Sequence, residues 1–356
     1  MTVNVGFLGG GFMTEVHSRG ARLAGARIVG VAASSPESSQ RASERLGLGR
    51  PYASAEELIN DESIDLVHIC TPNALHAEQA AAALAAGKHV VCEKPLGINR
   101  AEADELAAAV GDRVATVPFV YRFHPLVREA RARMAAGEAG RLLTVQGSYL
   151  QDWMLAADDD NWRADVATGG PSRAFADIGS HLADLVEFIT GDRIAAVAAT
   201  SSVVHAERGG RRVENEDAAA LVIRTAGGAI GTLLVSQVAP GRKNALVVEI
   251  AGSESSIRFD QENPESIWWG RRTGSVLLPR DPDQLCGDAQ RLSIIPAGHP
   301  QGYQDAFNAF VADSHAAVHG AAPDGLPTFA DGARAAAVTD AFLAAAATDG
   351  WVDLST

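Results

Sequence analysis

The sequence predicts a two-domain α/β protein. A doubly wound parallel sheet comes first, followed by an α+β domain built on a large, open, mostly antiparallel sheet. Three observations carry this. The chain has 356 residues, beyond the size at which one core stops growing. Over its first third, short runs of Val, Ile and Leu alternate with helical stretches, the sequence form of strands buried on both faces. Over 194–280 the strands instead alternate along themselves and are joined by Gly turns, as in "AALVIRTAGGAIGTLLVSQV" and "NALVVEIAGSESSIRFD".

Taken in order, "VNVGFLG" (3–9) is followed by helical "TEVHSRGARLAG", and "RIVGVAAS" (27–34) by "PESSQRASERLG". "IDLVHICTP" (64–72) precedes "ALHAEQAAAALAAG", "KHVVCEK" precedes "NRAEADELAAAVG", and "RVATVPFV" (113–120) closes the series. The chain then crosses at "YRFHP", which divides it into 1–122 and 123–356. "HPLVREARARMAAG" reads as a helix, and "RLLTVQGSYLQDW" as a strand with one solvated face.

Composition narrows the function. Hydrophobic residues at 47% and charged residues at 21% fit a soluble globular enzyme. A formal net charge of -14 without a basic block argues against nucleic acid and anionic membranes, which bind through clustered Lys and Arg. The start of the chain has no basic n-region or long apolar core, so no signal peptide is expected, and no apolar run is long enough for a membrane span. Three widely spaced cysteines (Cys70, Cys92, Cys286) argue against a disulfide framework or a metal site and suit a reducing cytoplasm.

Strand ends in a doubly wound sheet are where ligands bind, and four segments carry chemistry. In "GGGFMT", Gly9, Gly11 and Thr14 fall on a G-x-G-x-x-[G/A/T] spacing between a strand and a helix, where glycines let backbone approach a pyrophosphate. In "VAASSPES", Ala33, Ser34 and Ser35 stand where an acid commonly holds the ribose of NAD. That absence favours NADP, although Arg41 is the nearest cation. In "CTPNALH", Thr71, Pro72 and Asn73 form a polar turn one helical turn before His76. "VVCEKPLG" ends an apolar run in Glu93 and Lys94, which by themselves fit a salt-bridged strand end.

The second domain's most informative stretch is "GGPSRAFADIGSHLADLVEFITG" (169–191). Its apolar spacing predicts a helix over 178–190, with Asp177, His181 and Asp184 able to share a face. An imidazole beside a carboxylate is a general base suited to neutral pH. His124 and His299 precede prolines in the crossover and a loop and have no such neighbours in sequence.

Together "FLGGGFM", "CTPNALH", "AGKHVVCEKPL", "WRAD", "GGPSRAFADIGSHLAD" and "GLPTFADGARA" resemble the glucose–fructose oxidoreductase/inositol dehydrogenase (Gfo/Idh/MocA) family over essentially the whole chain. The resemblance implies a Rossmann NAD(P)-binding domain over 1–122. It also implies a substrate-binding and oligomerisation domain over 123–356, assembled as a dimer or tetramer through the open sheet. It makes Lys94, Asp177 and His181 the catalytic residues. Cofactor contacts are expected from Gly9, Gly11, Phe12, Met13, Ser34, Ser35, Thr71, Pro72, Asn73, His76, Glu93 and Lys94. Thr14 departs from the family's commoner Gly or Ala.

The expected activity is oxidation of a secondary alcohol of a sugar, sugar derivative or cyclitol, or the reverse, with NAD or NADP. His181 would take the hydroxyl proton and Lys94 would stabilise the developing charge. Tyr121, Arg122, Tyr149, Trp153, Trp162, Arg163 and Tyr303, with Asp177 and His181, are the candidate substrate contacts; rings beside hydrogen-bonding groups suit a neutral polyol. Two other readings remain: glycoside cleavage by transient oxidation, and a non-catalytic NAD(P)-binding regulator.

Overall fold

The structure is a computed structural model that describes residues 2–354. These fall into two compact units. One comprises the chain up to Val120 together with Tyr303–Ala336, the other Tyr121–Gly302 together with the chain from Ala337 onward.

In the first unit β1 (Asn4–Leu8), β2 (Arg27–Ala32), β3 (Arg50–Pro51), β4 (Leu66–Ile69), β5 (His89–Cys92) and β6 (Ala115–Thr116) form a six-stranded sheet. The order is β3-β2-β1-β4-β5-β6 and every pairing is parallel. Crossover helices α1 (Phe12–Leu23), α2 (Pro36–Leu46), α3 (Ala55–Ile59), α4 (His76–Ala85) and α5 (Arg100–Ala109) connect the strands. Strand order reverses between β1 and β4, the switch point where doubly wound sheets take their ligands. The strand β3 was not expected from the sequence. It is two residues long and contains a proline, so it has no apolar run to betray it.

The second unit opens with α6 (Pro125–Ala135), β7 (Leu142–Leu150) and the short α7 (Val166–Gly169), then α8 (Ser180–Thr190). There follow β8 (Ile194–Ser202), a small hairpin of β9 (Glu207–Arg208) and β10 (Arg211–Arg212), β11 (Ala218–Thr225) and β12 (Ile230–Ser236). After these come β13 (Ala245–Gly252), β14 (Ser256–Asp260), β15 (Ser266–Arg271), β16 (Gly274–Pro279) and α9 (Gly287–Leu292). The long strands form one sheet in the order β16-β15-β14-β13-β7-β12-β11-β8, antiparallel except where β12 meets β7. On β7, Val145, Gly147 and Tyr149 face inward while Thr144 and Gln146 are exposed, the alternation of a sheet covered on one side. The site helix α8 lies close on this inner face: a Cβ at Gly147 would come within 2.8 Å of Leu182.

The helix expected over 178–190 begins earlier and differently. A wide π-type turn, Phe175–Gly179, runs directly into α8. The last part of the chain returns to both units. Helix α10 (Tyr303–Val318) packs on α1, and α11 (Phe329–Thr348) begins in the core of the first unit and ends in the second. Then β17 (Trp351–Asp353) pairs with β8 as the final edge of the nine-stranded sheet.

Candidate active site

In the first unit the glycine turn is built for close backbone approach. Gly9 has φ of +101°, and a Cβ there would meet the Cys70 carbonyl oxygen at 2.5 Å. Gly11, which caps α1, would point a Cβ into open space, leaving that side clear for a ligand. Thr14 explains its own departure from the family pattern. It is buried, and its hydroxyl donates to the Gly9 carbonyl at 2.9 Å, pinning the turn from inside. Phe12 is exposed and Met13 half-buried beside it. A twelve-residue helix starting at this turn offers its N-terminal amides and partial positive charge to a phosphate.

At the end of β2, Ser35 caps α2 by accepting from the Ser38 amide at 3.2 Å, while its hydroxyl donates to Glu37 Oε2 at 2.8 Å. That hydrogen bond is the main reason the Glu37 carboxyl lies below its ordinary range. A carboxylate thus stands two residues beyond 33–35, fastened to Ser35. Arg41 is turned to the Ser38 hydroxyl at 2.8 Å.

After β4, the Thr71 hydroxyl donates to Gln79 at 2.7 Å, Pro72 leads a short 3-10 turn, and Asn73 is buried in it. The imidazole of His76 is buried between the carbonyls of Thr71 (2.8 Å) and Pro95 (2.7 Å), tying this turn to the one that follows β5. Burial outweighs those carbonyls and holds His76 below the ordinary histidine value.

Glu93 and Lys94 follow β5. Glu93 is buried and makes a 3.0 Å contact with His17 Nε2, and His17 Nδ1 lies 2.8 Å from His68 Nδ1. Burial pushes the Glu93 carboxyl up, but the His17 hydrogen bond and charge, with Lys94 and His76, outweigh it and hold it below the ordinary range. Its other oxygen accepts from the Lys94 amide at 3.1 Å. Glu93 is thus an ionised brace beneath the half-buried Lys94. Tyr303 stands at the start of α10, its ring 6.0 Å from Phe307.

The second unit holds the carboxylate and the imidazole. Asp177 sits within the wide turn, where Gln237 Nε2 donates to its Oδ2 at 2.8 Å and Arg163 Nε lies 3.5 Å from its Oδ1. Both partners favour the charged carboxylate. His181 is buried in the first turn of α8, with its ring edge-on to Tyr121 at 5.1 Å. Tyr121 belongs to a closed polar ring: its hydroxyl pairs with Tyr149 at 2.5 Å, Tyr149 donates to Asn244 Oδ1 at 2.6 Å, and Asn244 Nδ2 donates to Tyr121 at 3.2 Å. Burial pushes the Tyr121 phenol up to about 12 despite those bonds, so it stays protonated.

The array continues outward. Gln151 donates to Asn244 at 2.9 Å, and Trp153 donates its indole N–H to Gln151 at 2.8 Å. The Arg163 guanidinium stacks over the Trp162 ring at 4.3 Å. Asp184 lies in α8, three residues beyond His181. Its carboxylate is gripped by the Arg122 guanidinium through Nε at 2.9 Å and through Nη2, and both side chains are nearly buried. His124 is stacked on Tyr121 at 6.0 Å, and burial pushes it down to about 4. His299 lies in an exposed loop.

Sequence reasoning missed Gln237, Asn244 and Glu37. The first two are polar residues flanking apolar strands, "LLVSQV" and "NALVVEI", which is the signal that a strand end faces a polar site. Among the described residues no cluster of three or more His, Cys, Asp or Glu is placed to hold a metal, and no helix is long and apolar enough to cross a membrane.

Comparison with known proteins identifies the family. A family model for an oxidoreductase family with an NAD-binding Rossmann fold matches residues 3–118, and one for the GFO/IDH/MocA C-terminal domain matches 127–258. The chain is 33% identical to the levoglucosan dehydrogenase of Pseudarthrobacter phenanthrenivorans, with 99% of this chain and 98% of that one covered. A levoglucosan dehydrogenase in complex with NADH and levoglucosan superimposes with a TM-score of 0.93 at 31% identity, covering all of both chains. An inositol dehydrogenase homologue complexed with NAD+ from Azotobacter vinelandii does so with a TM-score of 0.90 at 26% identity, covering 99% and 97%. The chain belongs to the Gfo/Idh/MocA family of NAD-binding oxidoreductases.

Proposed function

We propose that the chain is a dehydrogenase acting on a secondary alcohol of a neutral sugar, anhydrosugar or cyclitol, with Asp177, His181 and Lys94 as its catalytic residues. The observation that carries this is the Asp177 carboxylate, held by Gln237 and Arg163 four residues before His181, itself flanked by the Tyr121–Tyr149–Asn244 ring. Hydroxyl, amide and indole groups dominate that array, and they pair with sugar hydroxyls without demanding a charged substrate. The printed names of the relatives, levoglucosan and inositol dehydrogenases, support the same class.

The glycine turn fits a dinucleotide: Gly9, Gly11, Phe12 and Met13 would hold the pyrophosphate side, Ser34, Ser35 and Glu37 the ribose, and Thr71, Pro72 and Asn73 the turn beyond. Once bound, it supplies the hydride acceptor. The His181 imidazole accepts the hydroxyl proton. Asp177 orients that imidazole or the substrate hydroxyl, and Lys94, braced by Glu93, stabilises developing alkoxide charge.

The outer face of the nine-stranded sheet supports a dimer or tetramer, because Leu143, Val222, Ile230 and Leu234 stand exposed on it. Light scattering at micromolar concentration tests this, and a monomer refutes it. Three free cysteines, one of them buried, support a cytoplasmic setting.

A panel of levoglucosan, myo-inositol, D-xylose and D-glucose with NAD+ or NADP+, read by reduced-nicotinamide absorbance, tests the activity. Turnover with at least one member is expected, and His181→Ala should abolish it while NADH still binds. Glycoside cleavage without net reduction, or cofactor binding with no turnover of any member, would replace this reading with the hydrolytic or the regulatory one.

A further inference from the structure

We propose that Glu216 is a positioning residue for proton transfer, its carboxylate setting the course of the turn that carries Asp177 into His181. The inference rests on the reading of Asp177 and His181 as the proton-transfer pair. Asn215, Glu216 and Asp217 are consecutive, polar and all buried just ahead of β11, an unusual expense for three such side chains.

Each is used on a different segment of the site. Asn215 Nδ2 donates to the carbonyls of Arg163 (2.8 Å) and Gly170 (3.2 Å). Glu216 Oε1 accepts from the Ser172 hydroxyl at 2.8 Å, the Arg173 amide at 3.1 Å and the Phe175 amide at 2.8 Å. Asp217 accepts from the buried guanidinium groups of Arg173 and Arg208 and from the Val204 amide at 2.6 Å. Arg208 in turn reaches the carbonyls of Met154, Ala156 and Asp159. The Gln237 amide donates to the Asp217 carbonyl at 2.9 Å, so the same tripeptide also places the side chain that meets Asp177.

Amides at the start of a helical segment need acceptors, usually from a local Ser, Thr, Asp or Asn cap. The Phe175–Gly179 turn has no side-chain cap of its own. Its Phe175 amide goes to Glu216, and its Ala176 amide goes to Ser172, which itself donates to Glu216. One carboxylate oxygen from the segment leading into β11 therefore fixes the backbone two residues before Asp177. Burial pushes the Glu216 carboxyl up against the pull of those donors. What the turn requires is an acceptor oxygen rather than a charge.

The test compares full-length Glu216→Ala, Glu216→Gln, Ser172→Ala and Asp177→Asn with wild type, using NAD+ and the best sugar of the panel. Glu216→Ala should lower kcat about 10- to 100-fold, as misplaced catalytic groups do, with NADH affinity held within roughly twofold. Hydrogen exchange of amides 173–179 should quicken in the same variant. Glu216→Gln keeps the acceptor oxygen and should restore both slow exchange and a kcat within about threefold of wild type. Should Glu216→Ala fail to fold, Ser172→Ala should show a smaller loss in the same direction.

Wild-type kcat in whichever of these folds, despite faster exchange at 173–179, overturns the proposal. So does a glutamine variant as impaired as the alanine one. Asp177→Asn separates the two readings. If it keeps the wild-type rate, the catalytic pair falls and this inference with it; if it is inactive while Glu216→Ala is active, only the positioning role falls.

Discussion

Gln237 Nε2 donates to Asp177 Oδ2 across 2.8 Å, joining a fully buried amide just past β12 to a carboxylate sixty positions earlier in the chain. Hydrogen bonds to charged groups contribute about 1.5–3 kcal/mol. Gln237→Leu should therefore lower kcat/KM for the sugar by roughly 10- to 100-fold while leaving NADH affinity intact. Steady-state kinetics beside a fluorescence titration of NADH check this; an unchanged kcat/KM would remove Gln237 from the site.

Lys94→Ala should lower kcat by about 3 kcal/mol, the scale of losing one donor to developing charge. Since Glu93 is held by His17 independently of the Lys94 ammonium, the turn after β5 should survive and cofactor affinity should change little. Activity within a few-fold of wild type would return the Glu93–Lys94 pair to a structural role.

Glu37 bears on cofactor choice. A carboxylate fastened to Ser35 at the end of β2 suits ribose hydroxyls and repels a 2′-phosphate. Wild type should favour NAD+, and Glu37→Gln should raise the ratio of kcat/KM for NADP+ over NAD+ by about tenfold. An unmoved ratio would show that discrimination lies elsewhere, with Arg41 the next residue to change.

Acid stability should carry the mark of His124. Burial lowers its pKa from 6.5 to about 4, so the folded protein keeps it neutral where the unfolded chain already binds a proton. Stability from this residue is complete above pH 6.5 and is lost as pH falls toward 4, at about 1.4 kcal/mol per pH unit. His124→Gln removes that dependence. Its stability relative to wild type should rise by roughly 2 kcal/mol between pH 6.5 and 5 in urea unfolding. A constant difference across that window would contradict the assignment.

The first sheet was legible because parallel strands are buried on both faces and leave unbroken apolar runs, as "VVC" does in β5; β3, with Arg50 and Pro51, leaves none. The four-residue spacing of Asp177 and His181 was legible, but the backbone between them takes a π-type turn rather than α-helix. The partners of these residues were not legible. That Asp184 meets Arg122, sixty-two residues away, depends on how α8 is rotated on the sheet, which local periodicity does not encode. Glu216 was hidden for the same reason: it caps a turn 41 residues before it in the chain.

The return of the chain to its first sheet has a consequence for synthesis. The Val117 amide donates to the Pro327 carbonyl, the Thr116 hydroxyl meets that of Ser314, and Phe329 and Ala333 lie in the same core as Leu96 and Val117. A ribosome making this protein releases β1 to β6 long before it releases those residues. The nascent first unit must wait, with apolar surface bare, while the entire intervening unit emerges. Completion of the first unit's core is thus a late event in the life of the chain, and a fragment cut at the crossover should be sticky and poorly folded however complete its strands.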